Sequence, residues 1–121
     1  MAGLKFTYRF IPLRFSPKTD KFVGLVLTIY NNTDEEKLVS FDLEIKTKGL
    51  LGFDQNAIHK RAIKKVGKLI PGEKREIMVK IYGTNATKAN DYDIEIVLNE
   101  HYLDYDKILT RYKKEISLRV V

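Results

Sequence analysis

The stretch Leu69-Ile70-Pro71-Gly72-Glu73-Lys74 constrains the fold more than any other part of the chain. Two alternating runs meet there. Pro71 has its φ already fixed at about −65°, which suits the second position of a β-turn. Gly72 supplies the positive φ that the third position of a type II turn requires. After the turn, Ile77, Val79 and Ile81 share one face of Arg75 to Tyr82, the period-two pattern of a strand with a buried side. The stretch reads as a hairpin turn that hands a fourth strand over to a fifth.

The same period recurs along the chain. Leu4, Phe6, Tyr8 and Phe10 alternate with Lys5, Thr7 and Arg9; the pattern breaks at Pro12 and resumes on the other parity with Leu13 and Phe15. Proline cannot donate to a ladder, so this predicts a kinked first strand whose second half crosses to a second sheet. Phe22 to Tyr30 is apolar on both faces and reads as a central strand. Val39, Phe41, Leu43 and Ile45 point inward, with Ser40, Asp42, Glu44 and Lys46 outward. In 54–66, Ile58, Ala62 and Val66 lie at helical spacing behind Asp54, a possible cap for a short helix over 54–65. A peripheral strand leading into the Pro71-Gly72 turn is the rival reading and the favoured one, because every other segment is β. Tyr92, Ile94, Ile96 and Leu98 form a further strand, Asn99 to Lys107 a long loop, and Ile108 to Val121 the last strand. About seven strands in one domain over 1–121 point to an all-β fold, an immunoglobulin-like antiparallel β-sandwich, with a Greek-key barrel as the alternative.

Several of these stretches carry a family resemblance. The pattern runs from Val23-Gly24-Leu25-Val26-Leu27-Thr28-Ile29-Tyr30-Asn31-Asn32-Thr33 through Phe41-Asp42-Leu43-Glu44-Ile45 to Gly67-Lys68-Leu69-Ile70-Pro71-Gly72-Glu73 and Tyr92-Asp93-Ile94-Glu95-Ile96-Val97. Over about residues 22–98 it resembles the immunoglobulin-like modules of the CARDB type, a cell-adhesion-related family of bacteria and archaea. In that family a strand ends in Asn near a Thr, and a Leu-x-Pro-Gly-Glu turn precedes the next strand. The resemblance implies a non-catalytic binding or spacer module, often part of a surface protein. The chain departs from the family in standing alone, in lacking an evident signal and in its extra loop at 48–60.

Composition narrows the function classes. The absence of cysteine excludes a disulfide scaffold, a zinc–thiolate site and a cysteine nucleophile. The formal charge of +6, from 22 basic and 16 acidic residues, is compatible with an anionic partner without demanding one. Many Lys, Glu and Ile with a single glutamine, Gln55, resemble a hyperthermophile composition. No run reaches the ~20 apolar residues of a membrane span, and Lys5, Arg9 and Arg14 interrupt any signal-peptide core. As written the chain reads as cytoplasmic; with a signal or anchor removed, it would be extracytoplasmic.

Catalytic chemistry is not evident. The two histidines, His59 and His101, are far apart in sequence, and Ser16, Ser40 and Ser117 lie in no nucleophile elbow. Gly49-Leu50-Leu51-Gly52 is too short and too apolar to cradle phosphate, and no cofactor motif appears. The loops at 31–37, 70–74 and 99–107 are expected at one end of the sandwich, gathering Asp34, Glu35, Glu36, Glu73, Glu100, Asp104 and Asp106 as a solvated acidic rim; calcium ligation is the rival reading. Tyr102, Leu103 and Tyr105 in the long loop, and Leu50, Leu51 and Phe53 at the opposite end, are the candidate partner-binding residues. Each set has a structural alternative, folding back over the sandwich. Basic residues concentrate at 59–68, including Lys60, Arg61, Lys64 and Lys65, and at 107–119. There lysines can protect an open edge or hold phosphates. Asn31-Asn32-Thr33 and Asn85-Ala86-Thr87 match the glycosylation pattern. The resulting expectation is a non-catalytic interaction or structural module using end loops and sheet edges, binding another protein or its own copy. Nucleic-acid binding through the basic segments is the alternative.

Overall fold

A computed structural model describes residues 3–121, and these form nine strands and no helix. They are β1 (Gly3–Ile11), β2 (Arg14–Phe15), β3 (Val23–Asn32), β4 (Lys37–Ile45), β5 (Leu51–Gly52), β6 (Arg61–Leu69), β7 (Lys74–Gly83), β8 (Asn90–His101) and β9 (Ile108–Val120). One sheet has the order β1-β3-β7-β5 and the other β2-β9-β8-β4-β6. The count exceeds seven because β2 and β5 are two-residue strands at sheet edges. The parity switch at Pro12 does mark a change of sheet: β1 pairs antiparallel with β3, whereas β2 pairs parallel with β9 through Arg14–Arg119 and Phe15–Val120. Strands β1 to β8 alternate between the two sheets, and every pairing except β2–β9 is antiparallel, the arrangement of an immunoglobulin-like β-sandwich.

Two expectations need correction, whereas the favoured reading of a peripheral strand before the Pro71-Gly72 turn holds as β6 and the rival short helix is absent. The Pro71-Gly72 turn is a type II-like turn, with Gly72 at φ +80° and Glu73 N–H donating to the Ile70 carbonyl at 3.1 Å. It is not a hairpin, however. β6 pairs with β4 and β7 with β3, so the turn carries the chain from one sheet to the other. Residues 54–65 contain no helix; Ala57 N–H donates to the Asp54 carbonyl in a turn, and β6 begins at Arg61. The loop read as 99–107 shrinks to 102–107, because Asn99, Glu100 and His101 continue β8.

The core lies between the inward faces. Val23, Leu25, Leu27 and Ile29 of β3 face Val39, Phe41 and Leu43 of β4 and Ile94, Ile96 and Leu98 of β8, all buried. Phe6 meets Phe41 edge-to-face at 5.5 Å between ring centroids. Burying each such side chain contributes about 1.5–3 kcal/mol, which is how a chain without a disulfide holds two sheets together. Tyr92, near the start of β8, is buried in the core and donates its hydroxyl to the Lys88 carbonyl at 2.9 Å. That is the tyrosine corner of immunoglobulin-like sandwiches. Gly49, at φ +148°, passes over this ring so closely that a Cβ there would stand 2.8 Å from Tyr92 Cε2.

Among the described residues no helix is long and apolar enough to cross a membrane.

Candidate functional site

The end of the sandwich that carries residues 31–37, 69–74 and 101–108 is built on one buried asparagine. Asn31 is fully buried at the end of β3. Its side-chain amide donates to the carbonyls of Leu69 and Glu35, each at 2.9 Å, and its Oδ1 accepts from the Thr33 hydroxyl at 2.6 Å and the Thr33 N–H at 3.2 Å. Its backbone is engaged too: Asn31 N–H donates to the Glu73 carbonyl, and Gly72 N–H donates to the Asn31 carbonyl. The Asn-x-Thr and Leu-x-Pro-Gly-Glu stretches are therefore two halves of one interlock across the sheets. Glu73 extends it, accepting from Ile70 N–H at 3.0 Å and from the Arg75 guanidinium at 2.6 Å. The Ile70 N–H, then Arg75, hold the Glu73 carboxyl below the usual carboxylate range. Arg75 also donates to the carbonyls of Val66 and Lys68. Asn31 is accordingly no glycosylation acceptor in the folded chain, since its amide nitrogen is already committed.

This framework carries the hairpin between β8 and β9. Tyr102 N–H donates to the Lys107 carbonyl at 3.0 Å, and Asp104 Oδ1 accepts from Asp106 N–H at 3.0 Å. Asp104 N–H donates to the Tyr102 carbonyl at 2.8 Å across Leu103, whose φ is +67°. That is the rare γ-turn with positive φ, a strained geometry for a residue with a branched side chain. Leu103 is nevertheless 71% exposed, beside Tyr102 at 54% and Leu109 at 58%. Tyr105 behaves differently. It packs edge-on against His101 at 5.0 Å, and the Lys65 ammonium lies 5.1 Å from its ring centre. Of the three loop residues singled out from sequence, Tyr105 folds back as a seat, while Tyr102 and Leu103 face outward.

Beneath Tyr105 lies a polar cluster that the sequence reading missed. Ser40 Oγ and His101 Nε2 are 2.6 Å apart, and Asn99 Nδ2 donates to Asp42 Oδ2 at 3.1 Å. Ser40, Asn99 and His101 are all buried on the outer face of β4 and β8. Neither His101 Nδ1 nor Asn99 Oδ1 has a hydrogen-bond partner among the described residues. The serine–histidine contact thus lacks a carboxylate orienting the ring, and its geometry braces the base of the hairpin. Its only advance signal was that Ser40 and Asn99 fall on outward strand positions where exposure is expected.

The acidic rim is largely paired. Glu35 and Glu100 both reach Lys37, Glu36 reaches Lys68, and Glu73 reaches Arg75. Burial opposes the charge on Lys37, but Glu100 and Glu35 outweigh it and raise its pKa. Among the described residues no three His or acidic side chains gather closely enough to hold a metal ion.

At the opposite end the apolar loop is mostly inside. Leu51 is fully buried in the core and paired through β5 with β7, and Phe53 is half-buried against the core. A partner at this end would meet Leu50, which is exposed, rather than Leu51. Of the basic candidates, Lys60 is turned inward: its ammonium donates to the carbonyls of Gly49 and Leu51, and burial lowers its pKa. Arg61 pairs with Glu44. Lys64 and Lys65 are exposed on β6 without a carboxylate partner among the described residues.

No family model matches the chain, and no curated protein matches it. Solved structures do. Native alpha-2-macroglobulin from Escherichia coli, spanning domain MG7 to the C-terminus, aligns at TM-score 0.62 and 16% identity, covering 99% of this chain and 17% of that one. The alkylpurine DNA glycosylase AlkC of Pseudomonas fluorescens, bound to DNA containing an abasic site analog, aligns at TM-score 0.58 and 10% identity, covering 98% of this chain and 30% of that one. A FixG-related protein from Vibrio parahaemolyticus aligns at TM-score 0.50 and 13% identity, covering 98% and 95%. The chain spans under a third of the first two proteins. At these identities the likeness is one of fold, and the fold is that of an immunoglobulin-like module.

Proposed function

We propose that the protein is a non-catalytic recognition module that engages a protein partner through the tip of its β8–β9 hairpin. The observation that carries this reading is Leu103: an exposed leucine kept in a strained γ-turn, on a loop fixed by its own hydrogen bonds and seated by Tyr105 on His101. Backbone strain that a glycine would relieve persists where the side chain is needed. The neighbouring Tyr102 and Leu109 extend the apolar surface, and a preorganised loop loses little entropy on binding. The interlock of Asn31 with Leu69 and Glu73 supports the finer reading of a CARDB-type module, since it gives both halves of that motif a shared structural role.

Leu103→Gly separates function from folding. It relieves the positive φ, so stability is expected to stay level or rise by up to about 1 kcal/mol. Proteins retained specifically by the immobilised wild type from its own organism's lysate are expected to be lost by Leu103→Gly and by Tyr102→Ser. A strictly monomeric wild type that retains nothing, or variants that retain the same proteins, would contradict the proposal.

Nucleic-acid binding, as in the DNA-bound AlkC neighbour, has less support in this chain. Arg61, Lys113 and Arg119 are each paired with a carboxylate, and Lys60 is committed to backbone carbonyls.

A further inference from the structure

β6 is one edge of the five-stranded sheet, and its two halves differ. The C-terminal half is closed. A bulge opposite Val39 and Ser40 interrupts the ladder there, and the Arg75 guanidinium occupies the carbonyls of Val66 and Lys68. The N-terminal half is open. Ile45 N–H donates to the Lys60 carbonyl at 2.8 Å, which sets the phase of the β4–β6 ladder. In an antiparallel pair the alternate residues then turn their N–H and C=O away from the partner strand. Those residues are Arg61, Ile63 and Lys65. They present a short row of backbone groups unpaired among the described residues, the template for an added strand.

The side chains along this row define what can be added. Ile63 is 69% exposed, and Arg61, Lys64 and Lys65 surround it, with no acidic residue anywhere on β6. On the outer face, Ile63 borders a depression of about 440 Å³ that Val97 and Lys113 also line. Asp42, Glu44 and Glu95 lie in the same depression, but Asp42 is held by Asn99, Glu44 by Lys46 and Arg61, and Glu95 by Lys46 and Lys113. On the inner side, Ala62 and Lys64 border a gap of about 320 Å³ shared with Phe53 and Met78. A second copy paired through the same edge would set these cations against themselves.

We propose that residues 61–65 of β6 accept an extended acidic peptide segment of another protein as an additional strand, with its alternate apolar side chains on the outer face entering the depression beside Ile63 and the intervening acidic side chains on the inner side, by Lys64. Backbone pairing would supply the affinity, and Lys64 and Lys65, which have no carboxylate partner among the described residues, the selection for acidic residues. This goes beyond the hairpin reading: Lys65 touches the Tyr105 ring at the base of the hairpin, but the tip residues Tyr102 and Leu103 lie outside the edge, and Ile63→Pro leaves Lys65 in place.

The test is amide NMR titration of the whole protein with a synthetic peptide of alternating glutamate and valine, and with its lysine-for-glutamate counterpart. The acidic peptide is expected to shift amides confined to Arg61–Lys65 and to bind at least tenfold more tightly than the basic one. Ile63→Pro should abolish binding at an unchanged melting temperature, since the lost N–H points away from β4 and proline is tolerated at such an edge. Lys64→Glu with Lys65→Glu should weaken binding at least tenfold. The proposal is overturned if neither peptide binds at millimolar concentration, if both bind equally, or if Ile63→Pro folds and still binds. It is also overturned if a single-stranded oligonucleotide binds the same residues and survives Ile63→Pro while failing with the double charge reversal, the signature of phosphate recognition. Binding that persists with Leu103→Gly is expected, so the edge and hairpin proposals stand or fall separately.

Discussion

Replacing Asn31 by alanine is expected to lower the unfolding free energy by about 3 kcal/mol and the melting temperature by about 10 °C. The side chain is fully buried and uses both ends of its amide, giving to Leu69 and Glu35 and accepting from Thr33. Alanine leaves the Leu69 carbonyl without its partner in a site closed to water, and the cost of that desolvated group exceeds the net value of the lost bond. The effect should also spread. Gly72 and Glu73 bond to the Asn31 backbone, so loosening the β3 terminus frees the connection between the sheets. Asn31→Asp, nearly the same shape, is expected to do no better at neutral pH, because a carboxylate oxygen would then face a carbonyl where the amide now donates. Chemical denaturation of the three proteins checks this; a loss below about 1 kcal/mol for Asn31→Ala would mean that the interlock is not a main support of this end.

The second large effect is expected at Gly49. A Cβ would stand 2.8 Å from Cε2 and 2.9 Å from the hydroxyl of Tyr92, and the φ of +148° is itself costly for a residue with a side chain. Tyr92 is the wrong neighbour to push, since its ring is buried and its hydroxyl is tied to Lys88. Gly49→Ala is therefore expected to cost about 2–3 kcal/mol. Tyr92→Phe alone should cost about 1 kcal/mol, the value of one hydrogen bond. Combining the two should cost less than the sum, because the first clash partly disappears with the hydroxyl. Strict additivity in thermal unfolding would show that the ring and Gly49 do not meet.

Much of the fold was legible because alternation reports which face of a strand is buried. Val39, Phe41, Leu43 and Ile45 are all interior, and the change of parity at Pro12 marks the passage of the chain from one sheet to the other. Alternation does not report which strand lies alongside. The Pro71-Gly72 turn looked like a hairpin for that reason, although its two strands belong to different sheets. The end of β8 was misplaced because Asn99, Glu100 and His101 are polar in a strand whose outer face is partly covered. At the hairpin, the exposed Tyr102 and Leu103 followed from composition, but the strain at Leu103 and the seating of Tyr105 depend on backbone angles and on Lys65 and His101, distant in the chain or on another strand. Lys60 and Leu51 were ambiguous for a related reason: a short loop can turn a lysine inward onto its own carbonyls and a leucine into the core.

The central claim is that a rigid sandwich presents a preorganised hairpin tip, and amide hydrogen exchange of the protein alone tests it most directly. The account predicts protection at Tyr102, Asp104 and Asp106, whose N–H groups are committed within the loop. Exchange of all three at the rate of an unfolded chain would contradict it.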